Sequence, residues 1–375
     1  MKKFLALIVG FTLFVSLGFS APKLKMKTYS PDEATVRLLG RTVYKNKTAV
    51  MAHSATGVEF NVNAKKLTAT LEEDSWSRPA RIVAFLNGER IFDEVLKSAK
   101  KEFVIFESDE EKTGVVQILK ASECLVATVG LSKLSTDFEG SISPTEPKKL
   151  KIEFVGDSAT AAYGVDESNP RKHNSVETED ITKSYAYKTA QALNADYSII
   201  CGSGWGVVSG FTPNGVKNDR DLIPNFYDKV GLQKDVYVSS VMPGQTKWDF
   251  ENFKSDLIVV LLGANDNPYT QNNAARKNEF KDAYVAFIKD IRAKNPDSYI
   301  LCCIGIAPDE LFAEVNAAVT EYKSETGDKA VSYFRIDRHN GELDGVAADW
   351  HPTDKAYTTA TKQLLPEIKS ILKIK

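Results

Sequence analysis

Two hydrophobic rhythms share this chain, and they change over at a proline-bearing break near residue 145. Before it, "TAVMAH", "GVEFNV", "KLTATLEE", "RIVAFLN", "EFVIFE", "GVVQILK" and "CLVATVGL" follow one another at close spacing. Several alternate with period two, as half-buried strands do. Asn87-Gly88, inside "FLNGERIF", is the favoured two-residue hairpin signal. No stretch there holds a helical period, which predicts a β-sandwich of jelly-roll type over residues 27–140. "EGSISPTEPKKL" has two prolines and little apolar content, and predicts a linker over 141–150.

Beyond the break, strand candidates Lys151–Val155, Tyr197–Cys201, Asp256–Leu262, Tyr299–Ile304 and Val331–Ile336 alternate with helical patterns such as "NEFKDAYVAFIKDIRAKN". Strands alternating with helices predict a parallel sheet covered on both faces, a three-layer α/β/α domain over 151–375. In the final helical stretch Ala356, Ala360, Leu364, Ile368 and Leu372 share a face, and Pro366 is expected to kink or interrupt it.

Bulk properties narrow the function classes. A formal net charge of −2 offers no basic excess to attract a nucleic acid. Two lysines, an apolar run from Phe4 to Phe19 and small residues after it predict a signal peptide over 1–20. That implies export to the periplasm or the medium, with no membrane attachment after cleavage; the apolar run is short for a spanning helix. Four cysteines do not make a disulfide scaffold, and Cys302 and Cys303 read as small hydrophobes in a strand. No metal-ligand cluster and no phosphate loop stand out, so neither metal nor cofactor is expected.

Open α/β sheets bind ligands beyond the carboxyl ends of their strands, and four short motifs fall there. "IEFVGDSATAAYG" places Ser158 where the first strand of the sheet ends. "CGSGWGVVSG" follows the second, with glycines that free backbone N–H groups for close approach. "LLGANDNP" follows the third and offers the Asn265 side-chain amide. "AADWHPTDKAY" puts His351 on a short loop before the last helix, with Thr353 as its cap. Each has an ordinary explanation in isolation: a turn, a flexible loop, a surface histidine.

In this order at successive strand ends, the four motifs resemble those of the SGNH (GDSL-like) hydrolases. With the β-rich half and "FLNGERIF" in front, the chain after its leader is most similar to carbohydrate esterase family 2, acetyl esterases with a jelly roll ahead of an SGNH domain. The resemblance implies Ser158 as nucleophile and His351 as base. It implies an oxyanion hole from the N–H groups of Ser158 and Gly204 and the Asn265 amide. Its substrate would be an acetylated polysaccharide such as xylan or glucomannan. One position departs from the broader pattern: the acid expected three residues before the histidine is Ala348, while Asp349 lies two before. In an extended segment Asp349 would face the ring; otherwise a backbone carbonyl, such as that of Trp350, would orient it. Asp157 is expected to be structural. Trp205 and Trp350 flank the motifs as candidate sugar-stacking residues, with core packing the alternative for either. A hydrolase of longer acyl esters and an inactive carbohydrate-binding protein are the competing functions.

Overall fold

The computed structural model describes residues 25–74, 78–97, 99–235 and 238–374; the leader expected over residues 1–20 lies outside them. Ten strands fill the first part. β1 (Met26–Tyr29), β2 (Arg37–Leu39), β3 (Val43–Lys45), β4 (Thr48–Met51) and β5 (Gly57–Glu73) come first. β6 (Arg81–Leu86), β7 (Glu89–Val95), β8 (Lys100–Lys120), β9 (Val129–Asp137) and β10 (Ser141–Pro144) complete them. All their pairings are antiparallel, in the order β3-β4-β9-β5-β8-β6-β7, with β1 on β9 and both β2 and β10 on β5. The 17-residue β5 is long enough to serve several partners in succession, β2 at residues 57–59, β10 at 60–63 and β9 at 67–73, while β8 pairs along most of its length. Asn87 and Gly88 both take positive φ, +53° and +85°, as the tight turn between β6 and β7 requires. The expected linker is only partly one. Residues 141–144 form β10, where alternate hydrogen bonding to β5 outweighs the prolines.

The second part holds a five-stranded parallel sheet in the order β12-β11-β13-β14-β15. Its strands are β11 (Leu150–Gly156), β12 (Ala195–Cys201), β13 (Leu257–Leu261), β14 (Tyr299–Gly305) and β15 (Val331–Ile336). Its helices are α1 (Ser158–Ala161), α2 (Tyr185–Ala192), α3 (Asn267–Thr270), α4 (Ala274–Lys294), α5 (Phe312–Thr326), α6 (Gly341–Asp344) and α7 (Asp354–Leu372). Strand alternation splits the core into two layers. Phe154, Ile199, Val259 and Cys303 pack with α2 and α7, whereas Val155, Ile200, Val260 and Cys302 pack with α4 and α5. Adjacent cysteines on opposite faces, both buried and free, behave as the small hydrophobes expected.

α7 continues through Pro366, so the proline does not interrupt it. Pro366 and Lys362 lie on the exposed face, so water meets the carbonyl left without its N–H partner.

The two parts share a core. Leu39, Ala55, Val83, Leu119 and Ala121 of the β-rich part join the α2–α7 layer. Arg41, fully buried, donates to the Lys229 carbonyl at 2.8 Å and pairs with Glu153 at 3.2 Å. The β-rich part is therefore fixed against the sheet and able to hold parts of it in place. Among the described residues no helix is long and apolar enough to cross a membrane.

Candidate active site

β11 ends at Gly156 because the chain doubles back there: a Cβ would lie 2.0 Å from Thr160 Oγ1. Asp157 caps α1, its Oδ1 accepting from the Ala159 N–H at 3.0 Å, and Ser158 opens the helix. Ala159, Ala161 and Ala162 are buried in the core beneath it. Larger side chains there would lift α1 from the sheet, so small residues keep Ser158 at the rim.

Strand order then gathers the motifs. β11 lies between β12 and β13, and Gly156 pairs with both Cys201 and Leu261. The segments leaving these strands emerge side by side, about 4.8 Å apart. This is the switch point of a 2-1-3-4-5 sheet, where such folds bind ligands. Ser158, the Gly204 loop and Asn265 meet at that end.

Gly204 takes φ +81°, a conformation that favours glycine. Neither its N–H nor that of Ser158 donates a hydrogen bond among the described residues. Asn265 Nδ2 donates to the Trp205 carbonyl at 2.9 Å and to Asp157 Oδ2 at 3.3 Å. A carbonyl only accepts, so the first bond fixes which amide atom is nitrogen. Asp266, unremarked in the sequence, is fully buried and anchors the same loop. Its Oδ1 takes the N–H groups of Val207, Val208 and Ser209 at 3.0, 2.7 and 2.9 Å. Burial pushes the carboxyls of Asp157 and Asp266 up to about 7 and about 6, against the pull of these backbone donors.

His351 Nε2 lies 3.0 Å from Ser158 Oγ. Its Nδ1 faces two carbonyls, those of Ala348 and Asp349, each at 3.2 Å. Both can only accept, so the ring proton sits on Nδ1 and Nε2 is left to accept from the serine. Burial holds the imidazole below its ordinary value, offset by those carbonyls and the Asp349 charge. Tyr163 covers the ring, centroid to centroid 4.3 Å.

Asp349 does not face His351 with its carboxylate, as an extended segment would have required. Asp349 and Trp350 both adopt left-handed backbone, φ +48° and +65°. This turns the Asp349 carbonyl toward the ring and its carboxylate away. The carboxylate accepts from Tyr163 Oη at 2.9 Å and the Asn174 N–H at 3.2 Å, and meets His173 Nδ1 at 2.8 Å. The orienting carbonyls are thus those of Ala348 and Asp349, not that of Trp350. Two such residues in succession cost about 1–3 kcal/mol each, the strain found where function demands a backbone direction.

Trp205 also departs from its sugar-stacking expectation. It is 7% exposed and packs edge-on against Phe226, so its site contribution is the carbonyl that holds Asn265. Trp350, 63% exposed, stands beside His351, and Phe211, 55% exposed, stands beside Gly204. Phe211, Tyr163 and Asp266 went unassigned in the sequence; for Asp266 the polar run "NDNP" is the one local signal it carries.

A three-layer sheet with a serine, a glycine loop, an asparagine and a histidine at its switch point defines the SGNH class of hydrolases. A family model described as the GDSL-like lipase/acylhydrolase family matches residues 154–359, more than half the chain, and the chain belongs to that family. Residues 38–145 match a second model, the N-terminal domain of carbohydrate esterase 2. The chain is similar to the cellulase/esterase CelE of Acetivibrio thermocellus, 29% identical over 62% of this chain and 27% of CelE. It therefore spans about a quarter of that relative. It is 24% identical to an acetylxylan esterase/glucomannan deacetylase of Cellvibrio japonicus, over 92% of this chain and 91% of the relative. Among solved structures, an acetyl xylan esterase from Butyrivibrio proteoclasticus superposes with TM-score 0.83 at 22% identity, covering 92% of this chain and 98% of that one. A family two carbohydrate esterase from Clostridium thermocellum, in complex with cellohexaose, gives 0.76 at 24% identity, over 90% and 99%.

Proposed function

We propose that this protein is an exported carbohydrate O-acetyl esterase that removes acetyl groups from polysaccharides such as xylan or glucomannan through a serine acyl-enzyme. The observation that carries it is the 3.0 Å contact between Ser158 Oγ and His351 Nε2 at the sheet's switch point. The polysaccharide assignment rests on the esterase-type β-rich part and the relatives' activities. Ser158 passes its proton to Nε2 as Oγ bonds to the acetyl carbon. The resulting oxyanion takes donors from the Ser158 and Gly204 N–H groups and from Asn265. His351 then returns the proton to the sugar oxygen as the ester bond breaks. Water, deprotonated by the same nitrogen, releases acetate. The exposed face of Trp350 offers a platform for a sugar ring beside the scissile ester.

Comparison of p-nitrophenyl acetate with the octanoate tests the acyl class: acetate should be cleaved at least about tenfold faster, because a pocket sized for a methyl group has no room for a longer chain, and the fit of even one methylene is worth about 10-fold or more. Preference for octanoate assigns a long-chain hydrolase instead. Acetate release from acetylated xylan and glucomannan then identifies the polymer.

Orientation by carbonyls makes this a Ser-His dyad, with Asp349 as a loop anchor. Asp349→Asn, a residue that tolerates left-handed backbone, should cost less than about tenfold in turnover, against about 10⁴ for a true triad acid. The acid limb of kcat/KM should also move. Neutral His351 is the active form, and the Asp349 charge raises its pKa. Removing that charge lowers the pKa, so the limb shifts to lower pH. A limb that moves upward would contradict this electrostatic role.

A further inference from the structure

The loop that carries Gly204 is held from outside its own domain. Ser203 donates its backbone N–H to Glu123 Oε2 at 2.9 Å. Glu123 belongs to the turn between β8 and β9 of the β-rich part and is 2% exposed. On the other side of Gly204 its carbonyl accepts from the Phe211 N–H at 2.7 Å. With both flanks tied, the Gly204 N–H is the backbone donor of this turn left without a hydrogen-bond partner among the described residues. The Glu123 carboxylate keeps company with Lys120, fully buried, whose Nζ donates to the Ser122 carbonyl at 3.1 Å. The turn is itself clasped from the sheet domain, because the Glu123 N–H donates to Glu179 Oε2 at 3.0 Å. Glu179 also bonds the Asn174 side chain, and the Asn174 N–H reaches Asp349 at 3.2 Å. One residue of the β-rich part thus holds the oxyanion loop with its side chain and is linked by its N–H, through Glu179 and Asn174, to the loop that carries the base.

We infer that Glu123 is a positioning residue for the oxyanion hole: by accepting the Ser203 N–H it sets the Gly204 peptide for catalysis, and the β-rich part completes the active site. Neither the sheet domain alone nor the motifs at its strand ends provide this contact. The inference rests on the serine-esterase proposal above, in which Gly204 donates to the oxyanion.

Its test uses the full chain and two readouts. One is kcat and KM on p-nitrophenyl acetate. The other is the rate at which a p-nitrophenyl alkylphosphonate labels Ser158, a reaction that also places charge in the hole and needs no knowledge of the natural substrate. Glu123→Ala should lower both kcat and the labelling rate about 10- to 100-fold with KM within about threefold, the loss expected for a displaced oxyanion donor. Glu123→Gln keeps an acceptor at the same reach and should recover most of that loss. Glu123→Asp keeps the charge but withdraws the acceptor, and should not. A merely structural role would lower Tm in all three and leave the rate per folded molecule alone. Equal rates for Glu123→Gln and Glu123→Asp overturn the inference, and this pair decides even if Glu123→Ala does not fold. Wild-type protein that resists labelling would overturn the serine-esterase proposal itself, whereas labelling at the wild-type rate in Glu123→Ala overturns only the role of Glu123.

Discussion

His351→Ala is expected to cut turnover of an acetyl ester by about 10⁴-fold or more, Ser158→Ala by as much, and the double variant by no more than the worse single one. The near-equality follows from the geometry. Ser158 Oγ touches one base, His351 Nε2, and that nitrogen accepts only because Nδ1 is committed to two carbonyls. Without the imidazole the hydroxyl stays protonated near neutral pH. Without the hydroxyl the imidazole has nothing to activate but water. What survives in either variant is the hole and substrate binding, so the second substitution removes nothing further. Steady-state kinetics with circular dichroism on the same samples checks this. His351→Ala retaining a tenth of the activity would require another base, and the carboxylates of the site are engaged, that of Asp349 with Tyr163 and Asn174 and that of Asp157 with Ala159 and Asn265.

The parts legible in the sequence are those written in local pattern. β11 to β15 follow from apolar runs, and Ser158 and His351 from motifs placed where parallel strands end. The parts missed depend on backbone direction or on contacts between distant segments. Nothing in "AADWHP" announces left-handed φ at Asp349 and Trp350, since neither is glycine, yet that sign decides which end of Asp349 meets the ring. A tryptophan between glycines looks the same whether its indole faces sugar or Phe226. Glu123 and Ser203 are 80 residues apart and on different domains, so no spacing connects them. Pro366 shows the converse: a strong local signal did not interrupt α7, because the carbonyl it leaves stranded, that of Lys362, lies on the exposed face.

Asn265→Ala should lower kcat about 10²- to 10³-fold, roughly 2.7–4 kcal/mol of barrier, with KM changed little, because its amide meets charge only as the tetrahedral intermediate forms. The amide is preorganised for this. One Nδ2 hydrogen is held by the Trp205 carbonyl at 2.9 Å, which fixes the plane of the group. The other makes a longer contact, 3.3 Å to Asp157 Oδ2, one that a developing oxyanion displaces at small cost. The alanine variant also strands the Trp205 carbonyl and weakens the satisfaction of a fully buried Asp157, so stability should fall by about 1–3 kcal/mol. The two effects separate by temperature. A rate loss that comes from unfolding disappears well below Tm, whereas a missing donor slows every folded molecule equally. Asn265→Asp sharpens the distinction: it retains the shape but sets an acceptor where a donor is needed, beside a second carboxyl. It should be no better than alanine, and a variant that regained activity there would remove the Asn265 amide from the oxyanion hole.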